Sequence, residues 1–475
     1  MVFKSFLQPV GISFAVGILV LVLSYAFVYQ HGREEAIGQS LYDFLFRFNN
    51  NDGELLSKNT VTLASLNAES SQPPSSTNQI NFRNVTNLTD NPQDSVYGQI
   101  ATVSGNNVYM IWQDSMPGNN IRNYDVFFKK SNDSANTFSK EVINLSNNNG
   151  FSEHPQIAAS GNNVYIVWAD NSNSSPSASS TSREILFVRS TDGGNTFSNP
   201  VSLSEDTRDS YNQEIFAFGD NVYVVWLDKA HSDSETANNI LFKSSADAGA
   251  TFSQTLTIGN NANDYSFPKL AAYNDQVYAV WNVEGQGSIQ SSNRDSAGLF
   301  FVKSSNQGSN FGEPIKLNYP EQEFGEAQIA ASGQSVYVVW GGSHLNTVSN
   351  IFLTKSIDTG ETFSDPIAIT DDDNSLKPSN VEIVIDQEEG SNNNSNNLYI
   401  AWQDVTTTEG ENNKKEEVLF KMSSDNGYTF HNTINLSKNH DISECPSLAV
   451  DNNKVYVIWE DLSPGNHEVL FTRST

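Results

Sequence analysis

A second cysteine is missing: Cys445 stands alone in 475 residues, which excludes an intrachain disulfide. The fold must therefore be held by packing and hydrogen bonds. Cys445 lies between Glu444 and Pro446 with no repeated histidine beside it, a setting that suits a small packed residue rather than a nucleophile. Positive charge is also scarce. Against 55 Asp and Glu there are only 26 Lys and Arg, a formal net charge of −29. Such a surface repels phosphate backbones, so no nucleic-acid partner is expected. Charged residues of either sign make up only 17% of the chain. Asn, Ser and Thr fill its loops instead, the composition of a β protein with polar turns rather than an acidic disordered tail.

Charge is absent altogether from residues 5–30, and residues 10–29 (VGISFAVGILVLVLSYAFVY) are long and apolar enough to span a bilayer as a helix. Lys4 precedes the run, which favours a cytoplasmic N-terminus over residues 1–9. No convincing small-x-small cleavage site comes after it, so the expectation is an uncleaved signal anchor rather than a removed signal peptide. Residues 34–48 suit a short amphipathic helix at the membrane surface, and residues 49–78 are a Ser-, Asn- and Pro-containing stalk. Residues 30–79 thus link the anchor to the remainder of the chain. The expected location is the cell membrane, single-pass, with residues 80–475 on the extracytoplasmic side. Seven N-x-S/T acceptors, at Asn84, Asn87, Asn132, Asn144, Asn173, Asn393 and Asn435, fit that location.

From residue 80 onward one unit recurs. Its landmark is an apolar run ending in tryptophan, as in VYIVW (164–168) and VYVVW (222–226). The seven tryptophans, from Trp112 to Trp459, are spaced by 56, 58, 55, 59, 62 and 57 residues. A small-residue strand such as QIAAS (156–160) precedes each run, and strands such as ILFVRS (185–190) and TFSNPVSLS (196–204) come after it. Four strands per repeat, with a second strand apolar on both faces, predict blades sandwiched between neighbours. Alanines in the first strand predict that it converges on a crowded axis. The expected fold is all-β: a seven-bladed β-propeller of four-stranded blades. The seventh copy stops before its fourth strand, while residues 80–89 read as a fourth strand without a copy before it. An N-terminal strand that completes the last blade resolves both and removes two sheet edges.

Between the third and fourth strands lies S-x-D-x-G-x-T-F: STDGGNTF (190–197), SADAGATF (245–252), SIDTGETF (356–363) and SSDNGYTF (423–430), with degenerate copies at 131–138 and 304–311. The aspartate can accept turn N–H groups and the glycine can take positive φ. This motif resembles the Asp box, or BNR repeat, of the sialidase and neuraminidase superfamily, and the resemblance covers residues 80–475. It implies that Asp133, Asp192, Asp247, Asp358 and Asp425 are structural and lie on the rim away from the ligand face. It also implies a sialidase-like propeller. Departures from those enzymes are several. They typically have six blades, an Arg-Ile-Pro motif absent here, and an arginine triad with a Tyr nucleophile, its Glu partner and an Asp acid/base. No catalytic residue can be carried over from them.

The W-x-D aspartates Asp114, Asp170, Asp228, Asp404 and Asp461 recur and so read as loop-holding groups. Positions that vary between blades are where function can reside. Loops opposite the Asp boxes contribute Arg122, Glu153, His154, Arg183, Tyr211, Tyr265, Arg294, Glu326 and His344 as candidate ligand-facing residues. Acids, aromatics and arginines around an axial funnel suit a glycan or a surface protein. The expected function is a membrane-anchored glycan- or protein-binding module; the alternative is a divergent, exo-sialidase-like glycoside hydrolase. No cofactor or metal site is expected. Calcium is conceivable at the acidic run 371–373, whose spacing does not match an EF-hand loop.

Overall fold

The computed structural model describes residues 80–475 except 104, 116–123, 173–181, 205–208, 230–237, 263–265, 284–297, 318–321, 345–348, 371–376, 388–395 and 408–413. The signal anchor, the stalk and the acidic run 371–373 lie outside the described residues. No helix among the described residues is long and apolar enough to cross a membrane.

The described chain forms seven four-stranded antiparallel sheets. We number the blades 1 to 7 over residues 95–144, 152–202, 210–262, 269–316, 322–368, 379–435 and 443–473. Their first strands pack in chain order and the seventh returns to the first, which closes a ring. The second strands carry the core. In Asn163–Asp170 and Asn221–Asp228 every residue after the first is buried, because a neighbouring blade covers each face of the sheet. The fourth strands are shorter than their sequence suggested, only two residues in blades 1, 2, 4, 5 and 6. At the circumference few apolar neighbours remain to reward longer pairing.

Blade 7 is completed from the other end of the described chain. Thr86 and Asn87 pair with Phe471 and Leu470, and Phe82 bridges Ser474. Leu88 is buried in the cluster that joins blades 7 and 1, and Phe82 meets Phe420 edge-on at 5.1 Å.

The S-x-D-x-G-x-T-F turns lie at the end of the blades shared with the turns joining first and second strands. The amide of Gly193 bonds Asn162 O at 2.9 Å, and that of Ala248 bonds Asp220 O at 2.8 Å. Within each turn one aspartate holds the chain. Asp192 accepts Ser190 Oγ at 2.7 Å, the Thr196 amide at 2.9 Å and Thr196 Oγ1 at 2.7 Å. Each turn then docks on the preceding blade. Phe197 packs on Phe128 at 4.9 Å, and Lys130 Nζ donates to Gly193 O at 2.9 Å. Gly194 has φ +71°, and a Cβ there would stand 2.5 Å from Phe128 Cζ, so both conformation and space demand glycine. Arg189 and Arg473 occupy the lysine place: they donate to Ala248 O at 2.8 Å and to Ser134 O respectively.

These turns set an acid limit on stability. Hydrogen bonds, led by the backbone amide of Thr137 and the hydroxyl of Thr251 respectively, hold Asp133 and Asp247 down at about 2. A depressed carboxylate contributes stability above its unfolded value near 3.9, and loses it as pH falls through the folded value. Asp247→Asn is therefore expected to lower the unfolding midpoint at pH 6 and to lower it far less at pH 2. Midpoints measured from pH 6 to pH 2 for both proteins check this; equal offsets at every pH would refute it.

Candidate functional site at the axial mouth

The functional geometry arises from one irregularity repeated around the ring. Six of the seven first strands carry a bulge against the second strand, between Val96 and Gln99, Glu153 and Gln156, and their counterparts. At the bulge apex Tyr97, His154, Asn212, Asn380 and Cys445 hold φ between 48° and 53°. Non-glycine residues there cost about 1 kcal/mol or more each. In blade 5 the bulge falls one residue earlier, between Phe324 and Ala327, so that Glu326 matches the apex only in standing two residues before Gln328, and the described part of blade 4 has no bulge. Bulges re-aim side chains, and here the apices bring a tyrosine, a histidine, two asparagines and a cysteine to one end of the innermost strands.

The blade next door holds three of these apices. The His154 amide donates to Gln113 Oε1 at 2.7 Å, the Cys445 amide to Gln403 Oε1 at 3.3 Å, and the Tyr97 amide to Glu460 Oε1 at 2.6 Å. These acceptors are the residues directly after Trp112, Trp402 and Trp459. One step deeper, opposite the residue before each tryptophan, lies a polar belt of Gln99, Gln156, Glu214, Lys269, Gln328, Glu382 and Ser447. Lys269 Nζ bonds Glu214 at 2.9 Å, Gln328 Nε2 bonds Glu382 at 2.7 Å, and Ser447 Oγ bonds Gln99 at 3.2 Å. Burial alone would lower the Lys269 ammonium, but Glu214 and Glu382 carry it above its ordinary value. Burial pushes Glu382 up to about 8.

Of the residues expected to face a ligand, Glu153, His154, Arg183 and Tyr211 come together. Arg183 forms a bidentate pair with Asp209, Nε to Oδ1 at 2.8 Å and Nη2 to Oδ2 at 2.9 Å, and reaches Glu153 at 3.8 Å. Its guanidinium lies 4.4 Å above the Tyr211 ring, which is only 7% exposed and so acts as a support. Burial pushes the His154 imidazole down to about 4, which leaves it neutral at physiological pH. Its ring meets Tyr97 edge-on at 4.4 Å. Glu326 stands apart in blade 5 and acts electrostatically on Lys269 and Cys445. The backbone of His344 ends the strand Ser335–His344, but its side chain lies outside the described residues, as do Arg122, Tyr265 and Arg294. The glycine break after Trp340 has a packing cause: a Cβ on Gly341 would stand 2.6 Å from Pro378 O of the next blade.

Sequence reasoning missed Tyr97, which is 40% exposed between His154 and the carboxylates of blade 7. Burial, Cys445 and the surrounding glutamates raise its phenol to about 12, so it stays protonated. The signal was present: YGQI (97–100) aligns with HPQI (154–157). Also missed was the adjoining trio Glu444, Glu460 and His467, whose nearest donor atoms all lie within 4.8 Å of one another. Burial, and after it the Glu444 carboxylate, raise Glu460 to about 7. The free Cys445 is partly buried, which pushes its thiol up, and Asn380 Nδ2 donates to its sulfur at 3.5 Å.

No protein-family description matches the chain, and neither does any curated protein. Solved structures do match. A crystal structure of a protein of unknown function from Dyadobacter fermentans is 12% identical with a TM-score of 0.50, covering 83% of this chain and 98% of that one. The Trypanosoma rangeli sialidase, in complex with 2,3-difluorosialic acid, is 13% identical with a TM-score of 0.47, covering 80% of this chain and 54% of that one. A Hadza microbial sialidase is 12% identical with a TM-score of 0.44, covering 80% and 66%. The likeness is one of fold. The chain spans about half the length of the trypanosomal enzyme.

Proposed function

We propose that this protein is a membrane-anchored, extracytoplasmic binding module of the sialidase-like Asp-box type, which takes up a glycan or a surface protein at the axial mouth. The observation that carries this reading is the exposed Tyr97 ring beside His154, on a rigid rim bordered by Glu153, Glu444 and Glu460. An aromatic face with polar neighbours supplies stacking and orientation for a sugar or a peptide side chain. Arg183 is not available to grip a ligand carboxylate, because Asp209 and Glu153 already engage it. That argues against an anionic sialoside, whose carboxylate calls for unengaged bidentate arginine.

A glycan array read with the full-length chain in detergent tests the proposal. Tyr97→Ala is expected to weaken the captured ligand by at least about tenfold, a loss of roughly 1.4 kcal/mol. The rival reading is a divergent glycoside hydrolase acting at the funnel. The Glu444 and Glu460 carboxylates are close enough to suggest it, but Glu460 is only 4% exposed and is occupied by the Tyr97 amide. Turnover of any member of an aryl-glycoside panel would overturn the binding reading.

A further inference from the structure

Blades 2 and 7 place the same three register positions side by side, and they fill them differently. In blade 2, Glu153 stands across from Ala169, and Arg183, the residue before Glu184, supplies the counter-charge at 3.8 Å. In blade 7, Glu444 stands across from Glu460, and the residue before Glu468 is His467. A second carboxylate has replaced an alanine, and an imidazole has replaced the guanidinium. Like charges directly opposed on adjacent strands repel. Among the described residues no lysine or arginine bears on either carboxylate, and Glu416 of blade 6 adds to the repulsion on Glu444.

Two further observations turn this from a charge cluster into a ligand set. Blades 1 and 6 use Gln113 and Gln403 where blade 7 has Glu460, and a neutral amide oxygen serves the neighbouring N–H there equally well. The charge on Glu460, 96% buried by its 4% exposure, is therefore not needed for the bulge. His467 Nδ1 is sealed from solvent, has no hydrogen-bond partner and faces Glu460 Oε2 at 3.9 Å, beyond hydrogen-bonding distance.

We propose that Glu444, Glu460 and His467 form a divalent transition-metal site on the rim of the axial mouth. One imidazole nitrogen with two carboxylate oxygens suits Zn²⁺ or Mn²⁺, whereas Ca²⁺ and Mg²⁺ prefer oxygen donors alone. Donor atoms around one tetrahedral zinc stand about 3.4 Å apart, so side-chain rotation has to draw the trio together by about 1.4 Å. Solvent or a ligand atom completes the coordination. The ion supplies the positive charge that Arg183 supplies in blade 2. This inference does not rest on the binding reading above.

The test is a Zn²⁺ titration of the metal-stripped full-length chain in detergent, with Co²⁺ replacing Zn²⁺ to report ligand geometry by its visible spectrum. One saturable equivalent is expected. Glu444→Gln and His467→Gln should each weaken it by at least about tenfold, as loss of a ligand does. Glu460→Gln should do the same while it retains the fold, since it copies Gln113 and Gln403. His467→Arg, which copies blade 2, should abolish binding and raise the melting temperature of the metal-free protein. Glu153→Gln should leave binding unchanged. Failure to bind one equivalent, or binding that survives all four blade 7 substitutions, would overturn the proposal.

Discussion

A chain that begins at Asn91, without the strand that completes blade 7, should lose on the order of 5 kcal/mol and self-associate. The estimate comes from three apolar side chains: Leu88, buried in the cluster that joins blades 7 and 1, and Ile80 and Phe82, partly buried against the cluster that joins blades 6 and 7. Each contributes about 1.5–3 kcal/mol when fully buried, and the total is comparable with the net stability of a whole domain. The same truncation strips three main-chain hydrogen bonds, the Arg83 amide to Arg473 O at 2.9 Å, the Leu88 amide to Val469 O at 3.0 Å and the Thr475 amide to Asn81 O at 2.9 Å, and the side-chain bond from Thr472 Oγ1 to Arg83 O at 2.8 Å. The strand Glu468–Arg473, now fully buried, becomes an open edge. Light scattering and denaturant unfolding of the truncated and intact chains check this. A truncated chain that stays monomeric at unchanged midpoint would count against the closing role.

Replacement of the channel lysine is expected to be as damaging. Lys269→Met leaves Glu214 without its ion-pair partner in a partly buried belt that also holds Glu382. Removal of one partner of a buried pair typically costs about 3–5 kcal/mol, because the remaining charge is uncompensated. The control is the double variant Lys269→Met with Glu214→Gln, which removes both members and should recover most of the loss. Urea midpoints of wild type, single and double variants decide it. If the double variant is no better than the single one, lost packing rather than charge is the cause.

The architecture was legible because a propeller repeats its instructions. The tryptophan spacing and the doubly apolar second strands reported packing between adjacent repeats, and the unpaired strand at 80–89 was legible because the seventh copy lacks its own fourth strand. The site was less legible, since it depends on the register between strands rather than on loop composition. His154 stands out in the sequence because histidine is conspicuous; Tyr97, at the same place in blade 1, reads as an ordinary strand residue until Gln99 is aligned with Gln156. Three of the sequons also have a place in the fold. Asn87, Asn144 and Asn435 sit in N-L-T or N-L-S at the outer strand of their blades, and each side-chain oxygen caps its own turn. They accept the amides of Thr89 at 3.1 Å, Asn147 at 2.8 Å and Lys438 at 3.0 Å. The motif that marks a glycosylation acceptor is at these three places a repeated turn of the fold.

The docking of each turn on the blade before it gives the ring a direction with consequences for its synthesis. Blade 2 can seat its turn on Phe128 and Lys130 as soon as blade 1 has emerged, and the same order continues along the chain. Blade 1 alone must wait. Its turn at Ser134 is held by Arg473, 339 residues later. At about 5–20 residues per second of chain elongation, that is a delay of roughly 20–70 s. For that time the seam side of blade 1, including Val108, Met110 and Trp112, lacks its partners from blade 7. A growing chain is most exposed to wrong pairings on its oldest blade, so a folding helper that protects this protein should act on the first blade made rather than the last.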